Sequence, residues 1–323
     1  MALRLNRRDL LAGAGALLAA PRPSWAAIPR DLTLSVWRYK LTASYFFEDA
    51  GVADVPYRVS YAELPGGTMV LEALSANALD YSFMSEIPPI FSVPSGVPLS
   101  LIAVLRGDVN NSGLLAQGDS AIRRVEDLRG KRVSYVRATN NHYYLIKILA
   151  TAGLTFADIV PVPLSVQDGA AAFLAGHIDA IVSGGYVTWQ LLRHNNARWV
   201  ISDMEGLYSG NFVIAANRNS LKDPAKAEAI GDYLRREQTV WDWSGKNLAR
   251  SAKRWADVTG APEAYYLREF QQRHRQPRLT AVSEDVIRDQ QDIADTFHAV
   301  KAIDRPIDVR PLWDTRYSAL LGT

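Results

Sequence analysis

Beyond residue 30 the chain switches between two hydrophobic periods. Leu32-Thr33-Leu34-Ser35-Val36-Trp37 trades apolar for polar at nearly every step and predicts a strand, as do residues 57–61. A short helical stretch is expected over 44–49. Pro65-Gly66-Gly67-Thr68 reads as a turn, with Thr68 placed to cap a helix whose apolar face is Val70, Leu71, Leu74 and Ala78. Lys131-Arg132-Val133-Ser134-Tyr135-Val136 predicts another strand after Gly130. Arg137-Ala138-Thr139-Asn140-Asn141 is a polar loop, and 142–152 a helix closed by Gly153. From about Pro224 the period turns helical, over 225–243, 247–258, 262–272 and 283–300, the last opened by Ser283 as a cap. Trp241, Trp243 and Trp255 read as packing residues. Strands alternating with helices point to α/β architecture with mainly parallel sheets.

One pattern occurs twice. Residues 73–85 read ALSANALDYSFMS and residues 172–184 read AFLAGHIDAIVSG. Each runs from a helix end, through Asn77 or Gly176 at a left-handed position, to an aspartate and a short apolar strand. Two similar lobes would each send a strand end toward one crevice, Met84-Ser85-Glu86 from one and Ser183-Gly184-Gly185 from the other. Ligands of open α/β sheets gather at such carboxyl ends. A third corner, at 137–142, lies between them in the chain. Unpaired N–H groups at a helix start, with the positive end of its dipole, suit an anion. Thr139, Asn140, Asn141 and His142 would add side-chain donors.

The first 27 residues read as an address. Arg4, Arg7 and Arg8 form a basic head, Leu10 to Ala20 an apolar run, and Ser24-Trp25-Ala26-Ala27 a small-residue cleavage site. Eleven residues rise only about 16 Å as a helix, short of a bilayer core of ~30 Å. Arg7-Arg8 before Asp9-Leu10-Leu11 fits twin-arginine export. Without this segment the formal charge falls from +2 to −1, with 32 basic against 33 acidic residues remaining. No basic excess is left for nucleic acid, and no long-range field steers an anion in.

The 323 residues contain no cysteine, which excludes disulfides, thiolate metal sites, cysteine nucleophiles and a lipid anchor on an N-terminal cysteine. The expected product is a soluble periplasmic monomer, exported and unanchored. G-x-S-x-G, S-x-x-K, H-E-x-x-H, P-loop and G-x-G-x-x-G patterns are all absent, and the five histidines at 142, 177, 194, 274 and 298 are scattered. No metal or cofactor is expected, and binding fits better than catalysis.

Ser85-Glu86-Ile87-Pro88-Pro89-Ile90-Phe91 and Asp127-Leu128-Arg129-Gly130-Lys131-Arg132-Val133 resemble the D-I-P-P-I-F and D-L-K-G-K-K-V runs of the aliphatic-sulfonate-binding proteins of ABC importers. Thr139-Asn140-Asn141-His142-Tyr143-Tyr144-Leu145 matches their S-S-S-H-N-L-L loop. Ala152-Gly153-Leu154-Thr155-Phe156-Ala157-Asp158-Ile159 resembles A-G-L-x-F-x-D-I, and His274-Arg275-Gln276-Pro277 sits where the family has H-R-P-P. The likeness spans roughly residues 34–313. D-L-x-G-K-x-V is shared with nitrate, taurine and pyrimidine-precursor binders, whereas I-P-P-I-F with the His142 loop is narrower.

The resemblance implies a type II periplasmic-binding-protein fold, two α/β lobes joined by crossover strands near 113–117 and 210–215. Lobe one would comprise 28–114 and 213–323, and lobe two 115–212. The implied function is capture of an organosulfonate, a small-molecule anion, for delivery to an inner-membrane ABC permease. A sulfonate stays anionic and carries three acceptor oxygens, so neutral donors serve it without a buried countercharge. Expected contacts are Thr139, Asn140, Asn141 and His142 in lobe two, and Gly66, Gly67, Ser85, Glu86, Tyr39 and Lys40 in lobe one. The Glu86 carboxylate would repel an anion unless it points away or meets the ligand's tail.

Where the family places W-D-P-Y, this chain has Gly184-Gly185-Tyr186-Val187, which implies a roomier pocket without that acid. A bulky or neutral tail stacked on Tyr186 or Tyr39 is then expected over an aminosulfonate. The basic group Arg268, Arg273, His274, Arg275 and Arg278 reads as a solvated helix end. The alternatives are a pyrimidine-precursor-synthase-like enzyme, whose cysteine-rich segment cannot exist here, and a nitrate or taurine binder or ligand sensor on the same fold.

Overall fold

A computed structural model describes residues 28–40, 42–64, 66–108, 112–194, 197–202 and 206–321; the export signal expected over 1–27 lies outside the described residues. The first half of lobe one contains β1 (Thr33–Arg38), β2 (Arg58–Glu63), α1 (Gly67–Ser75), β3 (Tyr81–Ser85), α2 (Pro88–Ser92) and β4 (Leu99–Arg106). Lobe two follows with β5 (Ser112–Ala116), β6 (Arg132–Tyr135), α3 (Asn140–Thr151), β7 (Val160–Pro163), α4 (Val166–Leu174), β8 (Ala180–Gly184), α5 (Tyr186–His194) and β9 (Arg198–Ile201). The chain then returns through β10 (Asn211–Asn217), α6 (Pro224–Lys246), α7 (Leu248–Thr259), α8 (Glu263–Gln271), β11 (Arg278–Thr280), α9 (Glu284–Ala299) and α10 (Ser318–Leu321).

The strands form two sheets, ordered β11-β4-β10-β3-β1-β2 and β7-β6-β8-β5-β9. Within each, the strands of the repeated unit are parallel, β1 with β2 and β3, and β6 with β7 and β8. The expected parallel character stops there. β10 runs antiparallel to β3 and β4, and β5 antiparallel to β8 and β9, because each enters its sheet from the other lobe. The stretches 113–117 and 210–215 therefore fall largely on strands that pair within one sheet only, and the chain changes sheets just before each.

Burial follows the sequence pattern. Leu34 and Val36 of β1 are buried, and β4, an apolar run paired on both sides, is buried along almost its whole length. The C-terminal helices cover the first sheet with Tyr233, Trp241, Trp255, Tyr266 and Phe270, so Trp241 and Trp255 are packing residues as expected.

Two local expectations change. Helix α1 begins at Gly67 with Gly66 at its N-cap (φ +94), so Thr68 lies inside the helix rather than capping it. A Cβ on Gly67 would lie 2.7 Å from Cγ of Pro88, so glycine is what lets α1 start against α2. Helix α3 begins two residues early, at Asn140.

The sequence echo is structural. Shifting lobe one by 99 residues takes Thr33 to Arg132, Gly67 to Val166 and Tyr81 to Ala180, the first residues of matching elements. Asn77 (φ 55) and Gly176 (φ 74) both close their helices left-handed. Asp80 accepts the N–H of Ser35 at 2.8 Å, and Asp179 that of Arg132 at 2.7 Å. Each carboxylate ties the start of its own strand to the first strand of its repeated unit.

Candidate functional site

Parallel strands place their carboxyl ends on one edge of each sheet, and six corners line the facing edges. Lobe one offers Tyr39–Lys40, Gly66–Thr68 and Ser85–Pro88; lobe two offers Arg137–Asn141, Leu164–Gln167 and Gly184–Tyr186. Contacts lock the corners within each lobe. Trp37 Nε1 donates to the Leu64 carbonyl at 2.8 Å, and α1 abuts Pro88 through Gly67. In lobe two, Asn141 Nδ2 donates to the Val182 carbonyl at 3.2 Å, tying α3 to β8.

The α3 corner has the geometry expected of an anion cradle. Thr139 is extended (φ −132), and its carbonyl takes the N–H groups of His142 and Tyr143. Those of Asn140 and Asn141 meet no acceptor among the described residues. The side chains are largely spent on the corner itself. Thr139 Oγ1 donates to the Val136 carbonyl at 2.7 Å, and Asn141 Nδ2 is held by that of Val182. Free backbone donors at the positive end of a twelve-residue helix remain.

His142 is turned elsewhere. Its ring packs on Tyr135, Phe156 and Phe297, 4.9–5.4 Å between centroids, and its Nδ1 lies 3.4 Å from the Ala138 N–H. Burial, with Arg137 nearby, pulls its pKa down to about 4, so the imidazole is neutral and accepts that N–H. It serves the left-handed Ala138 (φ 59) and bridges to α9 of the other lobe.

Glu86 is fully buried and points away from the facing edges. Ser209 and Asn211, beside the return crossover, donate to its carboxyl oxygens, and Gln290 Nε2 donates to its carbonyl at 2.7 Å. Burial raises its pKa to about 8 against the opposing pull of Ser209, with Asp289 adding repulsion. It is a crossover residue, which answers the conflict between a carboxylate and an anionic ligand.

Tyr39, Lys40, Gly185 and Tyr186 are brought together across the mouth of the cleft. The Tyr186 hydroxyl lies beside that of Tyr39, and Lys40 Nζ stands 5.6 Å from the Tyr186 ring centre. Gly66, Gly67 and Ser85 sit on lobe one's edge with no hydrogen bond to lobe two among the described residues; Gly184 pairs with Ser112 in β5.

Two neighbours were missed from sequence. Gln167 Nε2 donates to the Tyr39 hydroxyl at 3.3 Å, and Tyr265 of α8 reaches the Gly185 carbonyl at 3.5 Å. The Ser165-x-x-Asp168 spacing, whose hydroxyl accepts the Asp168 N–H, was a readable sign of the first helix start. Nothing local marks Tyr265.

The basic group is not a solvated end throughout. Arg273 is buried, pairs with Glu269 at 3.0 Å and lies over Phe270. Arg275 donates to the carbonyls of Gly107 and Ser209, one beside each crossover. Among the described residues no group of three His, Cys, Asp or Glu could hold a metal, and no helix is long and apolar enough to cross a membrane.

Comparison with known proteins agrees with this architecture. Residues 43–233 match the NMT1/THI5-like family model. The aliphatic sulfonates-binding protein of Escherichia coli (strain K12) is 29% identical over 264 residues, 78% of either chain. Its Bacillus subtilis (strain 168) namesake is 25% identical over 273 residues, 84% of this chain and 80% of that one. Among solved structures, the alkanesulfonate-binding protein SsuA of Xanthomonas axonopodis pv. citri, bound to MOPS, superposes with a TM-score of 0.81 at 26% identity, covering 90% of this chain and 99% of that one. Two α/β lobes, two crossovers and a cleft between carboxyl strand ends are the type II periplasmic-binding-protein fold, and the chain belongs to the NMT1/THI5-like family.

Proposed function

We propose that this protein is the solute-binding component of an ABC importer and captures an organosulfonate between its lobes. The observation that carries the reading is the α3 start, whose Asn140 and Asn141 N–H groups meet no acceptor among the described residues, in a chain whose relatives are named for sulfonates. A sulfonate needs several aimed donors and no proton partner, which this corner offers. Lys40 supplies positive charge from lobe one, and Gly66, Gly67, Ser85 and Tyr186 complete the proposed contacts. No carboxylate stands free on the six corners. Glu86 is engaged at the crossover, and Asp168 accepts the Ser165 hydroxyl at 2.7 Å. An aminosulfonate's ammonium would go unpaired there, which supports selection of a neutral or aromatic tail.

The lobes proposed to close on the ligand are residues 28–114 with 213–323, and 115–212. The chain is proposed to act as an unanchored periplasmic monomer, exported by its twin-arginine signal and docking on a permease.

A thermal-shift screen of alkane- and arylsulfonates, taurine, sulfate, nitrate and pyrimidines tests the reading. Binding to the folded state alone adds RT ln(1 + [L]/Kd), on the order of 2.7 kcal/mol at a hundredfold excess. A shift with sulfonates is expected, larger for an arylsulfonate than for taurine. A shift with pyrimidines alone overturns the assignment.

A further inference from the structure

The contacts at the cleft mouth share one property: each joins lobe one to lobe two. Tyr39, just past β1, accepts a hydrogen bond from Gln167 of α4, and its hydroxyl lies beside that of Tyr186 of α5. Lys40 covers the Tyr186 ring. From the helical layer behind lobe one, the Tyr265 hydroxyl meets the Gly185 carbonyl, and its ring lies 6.3 Å from that of Trp189. Two separate parts of lobe one therefore grip a single corner of lobe two, Gly185–Tyr186, from two sides. Gly185 holds φ +62, and a Cβ there would meet nothing within 4 Å, while the Tyr186 ring beside it packs against hydrophobic residues of both lobes.

Such contacts exist only while the lobes are closed. A ligand entering the open cleft does not feel them, but one leaving must wait until they break. Their free energy is added to closure alone, so losing them lowers the closed population and raises the apparent Kd by the same factor.

We propose that Tyr39 and Tyr265 are positioning residues that clamp the Gly185–Tyr186 corner in the closed form and set the residence time of the ligand without holding its anionic group. This rests on the capture function proposed above and assigns its release step to the cleft mouth. Neutral hydrogen bonds of this kind contribute about 0.5–1.5 kcal/mol each. At about 1.4 kcal/mol per tenfold, removing both hydroxyls should speed release roughly 5- to 150-fold and leave association unchanged.

The chain has no cysteine, so Met69→Cys on α1 and Val160→Cys on β7, both at exposed positions, accept a spin-label or dye pair without background. In this labelled protein, Tyr39→Phe/Tyr265→Phe is compared with its parent by lobe-to-lobe distance, with and without ethanesulfonate, and by stopped-flow release. Gln167→Ala serves as a second, milder variant. Faster release, unchanged association and a distance distribution shifted toward open are expected. Release and distances equal to the parent's would overturn the clamp. So would weaker binding caused by slower association at unchanged distances, because that places the hydroxyls on the ligand. If the parent binds no sulfonate while the unliganded variant is still more open than the parent, the capture reading fails and the clamp stands.

Discussion

The two lobes share a frame and differ at the corner after the first strand. In lobe one β1 runs into Tyr39, Lys40 (φ 43) and a four-residue 3-10 turn, Ala43–Phe46. In lobe two β6 runs into Ala138 and the twelve-residue α3. A single turn carries almost no aligned dipole, whereas three turns present a positive end and free N–H groups. The proposed charge recognition is therefore lopsided. Lobe two offers fixed backbone donors, and lobe one offers side chains that reach across.

The matched aspartates test the shared frame with the largest expected effect. Asp80 is buried and also binds Lys226 Nζ at 2.7 Å and Ser220 Oγ, whereas Asp179 is more exposed and faces Arg132. Asp80→Ala should cost about 3 kcal/mol and Asp179→Ala about 1 kcal/mol, because the first strands a buried donor set. Denaturant titration of each variant measures both, and equal costs would break the asymmetry.

Acid should separate the lobes next. The residue matching His142 in lobe one is Ala43. With its pKa held near 4, His142 stabilises the fold above its ordinary pKa of 6.5, and that contribution is lost as pH falls from 6.5 toward 4. The span corresponds to about 3 kcal/mol. Hydrogen exchange should show α3 amides losing protection before those of α1, and His142→Gln should flatten the pH slope. Glu86 has the opposite sign. With its pKa raised to about 8, its contribution is full below the unfolded value and fades as pH rises through 8, so Glu86→Gln should exceed the parent's thermal stability by more at pH 8.5 than at pH 6.

A smaller contrast lies at the matched helix starts. Gly67→Ala pushes a Cβ into Pro88 and should cost about 1–3 kcal/mol. Val166→Ala, at an exposed position, should stay within roughly 0.5 kcal/mol. Equal melting temperatures for the two variants would remove the claim that glycine is needed at the α1 start.

What the sequence made legible was local. The repeated helix-aspartate-strand unit placed both cleft edges, since left-handed closures at Asn77 and Gly176 and the two aspartates are short-range signals. The donor loop at 139–141 was readable for the same reason. Long-range choices were not. His142 and Glu86 look like ligand contacts in a linear motif, yet one fills an aromatic cluster and the other bonds the return crossover. Thr139 has a donor to give, but spends it three residues back. Tyr265 reaches a corner 80 residues away, which no period or spacing records.

The central claim is that backbone N–H groups at the start of α3 hold the anion. Asn140→Pro removes one of them while sparing the helix, because proline suits the first helical position and Thr139 before it is already extended. Titration calorimetry of parent and variant with ethanesulfonate, alongside their melting temperatures, measures the effect. A charge-assisted hydrogen bond contributes about 1.5–3 kcal/mol, so the expected result is roughly 10- to 150-fold weaker binding at a nearly unchanged melting temperature. Equal affinity in the two proteins would contradict the account.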